Sequence, residues 1–105
     1  MTTPPLDPAL QSPTRLMLAS YLSGCDTAEF QAVQEYCELT PSNLSKHATA
    51  LSELGYIQIH KGYVGKRPRT WLSLTPGGHA ALQSHLHALQ QIAAAAAKAA
   101  ADRPR

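Results

Sequence analysis

Three times in this chain a hydroxyl residue stands directly before a proline at the head of a segment with helical spacing: Ser12-Pro13, Thr40-Pro41 and Thr75-Pro76. A side-chain oxygen at the N-cap followed by proline at the first helical position is a strong helix-start signal, because proline's fixed φ suits that position and its missing N–H would have no partner there anyway. These three starts divide the 105 residues. Behind Ser12, residues Leu16, Met17, Ala19, Tyr21 and Leu22 share helical spacing, and Gly24 ends the run. Behind Thr40, residues Leu44, Ala48, Leu51 and Leu54 recur at four, three and three, with Gly55 as the C-terminal stop. Behind Thr75 a helix is expected from about Gly78 to Ala101. Its Leu82, Leu86, Leu89, Ala93, Ala96 and Ala100 recur at four and three, an a/d seam over nearly three heptads.

Between the first two starts, Asp26 with Glu29 fits a capping box ahead of Phe30, Val33, Tyr36 and Cys37, which predicts a helix to about Glu38. Between the last two, the period changes. Ile57-Gln58-Ile59-His60-Lys61 and Thr70-Trp71-Leu72-Ser73-Leu74 alternate apolar and polar residues. That predicts two half-buried strands joined across the basic, glycine-containing stretch Gly62–Arg69. The expected fold is mainly α with a β-hairpin wing (α+β), in the order helix, helix, helix, strand, wing, strand, long helix. Residues 1–11, with three prolines and no periodicity, are expected to be a flexible arm. Residues 12–76 form the domain, 77–101 a C-terminal dimerisation helix and 102–105 a tail.

Two short helices joined by a tight turn and followed by a two-stranded wing define a winged helix-turn-helix. The turn at Leu39-Thr40-Pro41 aims the third helix to enter a DNA major groove by its N-terminal end. Its solvent face holds Pro41, Ser42, Asn43, Ser45, Lys46 and Thr49, with Glu53 as its single acid at the far end. Asparagine can pair with an adenine edge, serine and threonine can bond bases or phosphates, and lysine can reach guanine or phosphate. The wing adds Lys61, Lys66, Arg67 and Arg69 within nine residues.

Charge is distributed accordingly. The formal net charge is only +2. Residues 1–53 hold two cations against six acids, residues 54–105 seven cations against one, and Leu54–Ala101 contains no acid. Such asymmetry is the footprint of a surface that meets a polyanion.

The stretch LTPSNLSKHATALSELGYI resembles the turn and recognition helix of MarR- and ArsR-type winged-helix regulators, where a small-polar helix start precedes Ser-Lys/Arg-His and then Leu-x-x-x-Gly. GKRPRTWLSLTPGGHAAL resembles their wing, in which an Arg-x-x-x-Tyr/Trp-x-x-Leu-Thr-x-x-Gly run enters the last helix. The similarity covers about residues 12–92 and is nearest to the short stand-alone members without a ligand domain. It implies a homodimeric transcriptional regulator of double-stranded DNA. By position, Ser42, Asn43, Ser45, Lys46 and His47 would face DNA, while Lys66, Arg67 and Arg69 would reach the minor groove or backbone. The paired-cysteine motif of the ArsR metal sensors is missing here.

His47 has two open readings, a phosphate contact or packing at the helix edge beside Leu44 and Leu51. Trp71 has three: cover for the hairpin, contact with the long helix, or contact with a partner subunit. A helix of roughly 24 residues would run about 36 Å, more than a domain this small can cover, so Leu82, Leu86, Leu89 and Ala93 are expected to meet a second copy. His79, His85 and His87 on the last helix do not share the one-face spacing of a metal site. Cys37 sits on an apolar helix face, while Cys25 on a turn is the better candidate for a redox-sensing thiol. No nucleophile–base pair, paired carboxylates or glycine-rich phosphate loop is present, and no segment has the length of a membrane span. The expected protein is a cytoplasmic, non-enzymatic DNA binder without cofactor. The alternatives are a protein-interaction module on the same fold and a thiol- or metal-responsive regulator. Any small-molecule effector is left unspecified.

Overall fold

The structure is a computed structural model that describes residues 4–104. Residues 1–3 of the expected arm and Arg105 of the expected tail lie outside the described residues. After a 3-10 turn at Pro8–Leu10 come α1 (Pro13–Ser23), β1 (Ala28–Glu29), α2 (Phe30–Cys37), α3 (Pro41–Glu53), β2 (Ile57–Val64), β3 (Arg67–Leu74) and α4 (Pro76–Ala101). The mainly α architecture with a β wing is thus the one expected.

All three hydroxyl–proline starts cap helices. Ser12 Oγ accepts from the Arg15 amide at 3.5 Å, Thr40 Oγ1 from Asn43 at 3.1 Å and Thr75 Oγ1 from Gly78 at 2.9 Å. Helices α2 and α3 end alike. The Leu39 amide reaches back to the Gln34 carbonyl and Glu38 to Glu35; Tyr56 reaches Leu51 and Gly55 reaches Ser52. Each is a Schellman closure around a left-handed residue. In α3 that residue is Gly55 at φ 79°, but in α2 it is Glu38 at φ 54°.

The core is one cluster. Leu18, Ala19 and Leu22 of α1, Val33 and Cys37 of α2, Leu44, Ala48 and Leu51 of α3, Ile57, Leu72 and Leu74 of the sheet and Leu82 of α4 meet there. Leu54, expected to complete the α3 face, is instead exposed, since it lies at the helix end where the chain turns away toward the sheet.

Two sequence expectations are corrected near the N-terminal end. Residues 7–10 are not a free arm. Leu10 is fully buried in the core, Asp7 accepts from the Tyr56 hydroxyl at 2.5 Å, and the Asp7 amide donates to Nδ1 of the buried His85 at 3.0 Å. Burial of a single leucine, worth roughly 2 kcal/mol, outweighs the lack of periodicity around it. Nor does Asp26 form a capping box with Glu29. Glu29 is itself the N-cap, with extended backbone and no side-chain cap bond, because Ala28 and Glu29 pair antiparallel with Leu72 and Trp71. The expected two-stranded hairpin is therefore a three-stranded sheet in the order β1-β3-β2.

Strands β2 and β3 run farther toward the wing tip than their alternation alone shows. They pair from Ile57–Leu74 out to Val64–Arg67, leaving Gly65-Lys66 as a two-residue turn. Gly65 has φ 63°. A glycine at the first central position is what a type II′ hairpin turn requires.

Helix α4 is 26 residues, about 39 Å long. Gly78, Leu82, His85 and Ala88 are its buried positions, and every residue from Ala93 to Ala101 is exposed. Leu82 is therefore core of its own domain and not part of an exposed seam, and Leu86 packs partly against that core. Only Leu89 and Ala93, of the four seam residues named from the sequence, are open to solvent. The apolar repeat serves two purposes in succession: its first turns anchor the helix and its later turns stand clear of the domain.

Candidate nucleic-acid interface

Helix α3 buries Leu44, Ala48 and Leu51 and turns Ser42, Asn43, Ser45, Lys46 and Thr49 outward, with Pro41 exposed at its first turn. Its N-terminal amides lie at the same end, where a helix favours anions.

Side-chain alternation splits the wing into two faces. Ile57, Ile59, Lys61 and Tyr63 on β2 oppose Leu74, Leu72, Thr70 and Pro68 on β3. This face begins in the core and continues outward toward α3. Between the two lies an open cleft of about 460 Å³. Its floor is apolar, from Phe30, Ala48, Ile59 and Leu72, and its walls carry Ser42, Ser45 and Thr49 on one side and Lys61 and Thr70 on the other. Four hydroxyls and an ammonium around an open groove are donors suited to an anionic chain.

The opposite face of the wing carries Gln58, His60, Gly62 and Val64 against Ser73, Trp71, Arg69 and Arg67. The Trp71 ring lies across Gly62, so close that a Cβ there would stand 3.1 Å from it. Trp71 thus covers the outer surface of the hairpin. Arg69 is not a free cation: its guanidinium pairs with Glu29 of β1 at 2.9 Å. The four wing cations named from the sequence are accordingly not one cluster. Lys61 faces the cleft, Lys66 sits in the turn, Arg67 is exposed on the outer face and Arg69 is tied to β1.

His47 is half-buried at the edge of α3, where its Nδ1 accepts from Arg15 Nε at 3.2 Å. Burial lowers its pKa, and the neighbouring Arg15 charge lowers it further. Arg15 and Thr70 join the surface without having been singled out in the sequence. Period-two spacing from Leu72 signals Thr70. No local signal marks Arg15, which is 32 residues from its partner.

The remaining candidates fall elsewhere. His85 is buried and accepts from the Asp7 amide, and among the described residues no three of His, Cys, Asp and Glu gather as a metal site. Cys37 is buried, and burial raises its thiol pKa, so it resists forming the thiolate. Cys25 donates its thiol to the Tyr21 carbonyl at 3.5 Å. Among the described residues no helix is long and apolar enough to cross a membrane.

Comparison with known proteins agrees with this geometry. Residues 14–93 match the model of the winged helix DNA-binding domain. An uncharacterized protein of Methanocaldococcus jannaschii is 27% identical over 81 residues, spanning 77% of this chain and 88% of its own. A transcriptional regulator homologue from Pyrococcus horikoshii superimposes with a TM-score of 0.77 at 29% identity, over 83% of this chain and 86% of that one. The YusO protein of Bacillus subtilis shares the fold with a TM-score of 0.67 at 23% identity, over 79% of this chain and 58% of its own. The chain belongs to the winged helix DNA-binding domain family, and its fold is that of the MarR-like transcriptional regulators.

Proposed function

We propose that this protein is a sequence-specific, double-stranded DNA-binding transcriptional regulator that acts as a homodimer. The observation that carries the reading is the groove between α3 and the wing, walled by Ser42, Ser45, Thr49, Thr70 and Lys61 without an acid among its lining residues. In this reading α3 enters the major groove. Asn43 and Lys46 face base edges, Ser42, Ser45 and Thr49 bond bases or phosphates, and Pro41 sets the entry of the helix. One DNA strand follows the cleft past Lys61 and Thr70. Lys66 and Arg67 at the wing tip meet the next minor groove or its backbone, with Arg69 in support.

The homodimer rests on α4. Leu89 is 38% exposed, and from Ala93 to Ala101 the helix continues as exposed, mostly alanine turns. A second copy packed along Leu89, Ile92 and Ala93 would bury this face. It would also hold two copies of α3 about one DNA turn, roughly 34 Å, apart.

The test is retention of mixed genomic double-stranded fragments by the protein at two salt concentrations, with sequencing of what is kept. An enriched pseudo-palindrome with half-sites about ten base pairs apart supports the dimeric regulator. Salt-sensitive retention without enrichment overturns sequence specificity. Absence of retention overturns DNA binding and leaves a protein-interaction module.

A further inference from the structure

The residues of α3 divide between two flanks. Ser42, Ser45 and Thr49 line the cleft beside the wing. At 100° per residue, Asn43 and His47 lie on the other flank, turned away from the wing. A helix lying in a major groove has a phosphate strand on each side. The wing-side strand has Lys61 and Thr70 to meet it, and the far side needs its own donors.

The far flank has Arg15. This residue sits in the first turn of α1 and reaches α3 through its Nε, which donates to His47 Nδ1. Among the described residues the one ion pair is Arg69–Glu29, so Arg15 has no carboxylate to satisfy its charge. An arginine has five N–H donors in a planar fork, and one of them is used here. The acceptor is an imidazole nitrogen, which must be unprotonated to take that bond. The ring's hydrogen is thereby assigned to Nε2. Among the described residues no buried side-chain nitrogen or oxygen lacks a partner, which leaves the Nε2 edge of this half-buried ring to solvent. Lys46 is the exposed neighbour on the same turn.

We propose that Arg15 is a DNA-binding residue, which with His47 grips a backbone phosphate on the strand opposite the wing. Arg15 supplies the charge and two Nη donors. It also positions His47, holding it in the Nε2–H form so that a neutral third donor stands on the same flank of α3 to meet the same strand. Neither residue reads a base, so the contact sets the register of α3 in the groove and adds equally to every sequence. The inference rests on the DNA-binding reading above.

The experiment is titration of the full chain with a short duplex across a range of salt, for wild type, Arg15→Ala, Arg15→Lys and His47→Ala. It is paired with nitrogen-detected NMR of the His47 ring in the free protein at pH 7.5. Loss of one phosphate contact lowers the salt slope by about one unit. Arg15→Ala should show that change together with roughly tenfold weaker binding to cognate and random duplexes alike. Arg15→Lys should recover the slope without the full affinity. His47→Ala should weaken binding with the slope unchanged. The ring should titrate as the Nε2–H tautomer in wild type and as a mixture in Arg15→Ala. Binding by wild type with Arg15→Ala identical in affinity and slope overturns the proposal while sparing DNA binding itself. A wild type that binds no duplex overturns the underlying reading. A melting temperature lost in Arg15→Ala with unchanged DNA affinity per folded molecule makes Arg15 a strut between α1 and α3, which also overturns it.

Discussion

Gly78 lies against the carbonyl oxygen of Tyr56 so closely that a methyl group at residue 78 would overlap it, and would press Leu74 Cδ1 as well at 2.7 Å. The root of α4 thus touches the backbone entering β2 with no side chain between them. The Thr75 amide donates to that same carbonyl at 2.9 Å, so the contact is held from both sides. Gly78→Ala should destabilise the fold by about 2 kcal/mol or more, because the obstacle is backbone and cannot rotate away. Gly77→Ala meets only ordinary contacts, 3.6 and 3.7 Å, and should leave the melting temperature nearly unchanged or raise it slightly. Thermal unfolding of the two variants side by side checks this, and equal effects would contradict the placement of α4.

Glu38 occupies a left-handed conformation at φ 54°, ψ 48°, the position that Gly55 fills after α3. An L-residue is strained there by about 1 kcal/mol, offset in part by the entropy a glycine loses on folding. Glu38→Gly is expected to stabilise by roughly 0.5 kcal/mol, read as a small rise in the midpoint of chemical denaturation, whereas Gly55→Ala should lower it.

The two halves of the α4 repeat should respond differently to truncation. Leu82→Ala removes core volume and is expected to cost about 2–5 kcal/mol in the unfolding of the protein. Leu89→Glu alters an exposed site and should leave the protomer's fold intact while dissociating a dimer. Sedimentation equilibrium alongside denaturation separates these outcomes. A Leu89→Glu variant with the wild type's mass in solution would remove this face from the dimer proposal.

Glu29 holds Arg69 at 2.9 Å, with both side chains partly exposed, so the pair should add little to stability. Its larger effect is on charge. Glu29→Gln releases a cation on the wing and is expected to strengthen salt-sensitive binding to random duplex DNA by a few-fold. If Arg69→Ala weakened binding as strongly as Lys61→Ala, the division of the wing into two unlike faces would lose its functional meaning.

His47 and Tyr56 set opposite pH limits. The folded protein holds His47 neutral, with its pKa lowered by burial and by Arg15. The stability this gives is present above the unfolded value near 6.5 and is lost as pH falls through the lower folded value. Tyr56 is shifted upward, first by its hydrogen bond to Asp7, then by burial and by the Asp7 charge. Its contribution is present below pH 10 and disappears as pH rises through the higher folded value. Melting temperature against pH should therefore slope downward on the acid side in wild type and less so in His47→Ala. Tyr56→Phe should flatten the alkaline side.

How far the fold was legible follows from which signals are local. Each hydroxyl–proline pair needs only four residues to form its cap, and all three read correctly. The period change at Ile57 is local as well. Strand β1 was not legible. Two residues carry no periodicity, and the partners of Ala28 and Glu29 stand more than forty positions later. Leu10 was missed for the same reason, as its burial depends on helices that the chain has not yet made. At the interface, the outward residues of α3 follow from helical spacing alone. The wing cations were legible as a cluster in sequence but not in space, because alternation sends Lys61 and Arg67 to opposite faces. The tie between Arg15 and His47 joins two helices and leaves no trace in either.

Helix α4 passes without interruption from the buried Leu82 to the exposed Leu89 and onward. Everything beyond the domain is consequently set by arithmetic. One residue inserted between those leucines would turn the outer face by 100° and advance it by about 1.5 Å. Substitutions in the same stretch would do neither. The helix acts as a ruler whose graduations are residues, so any second molecule seated on its far end takes its bearing from a count.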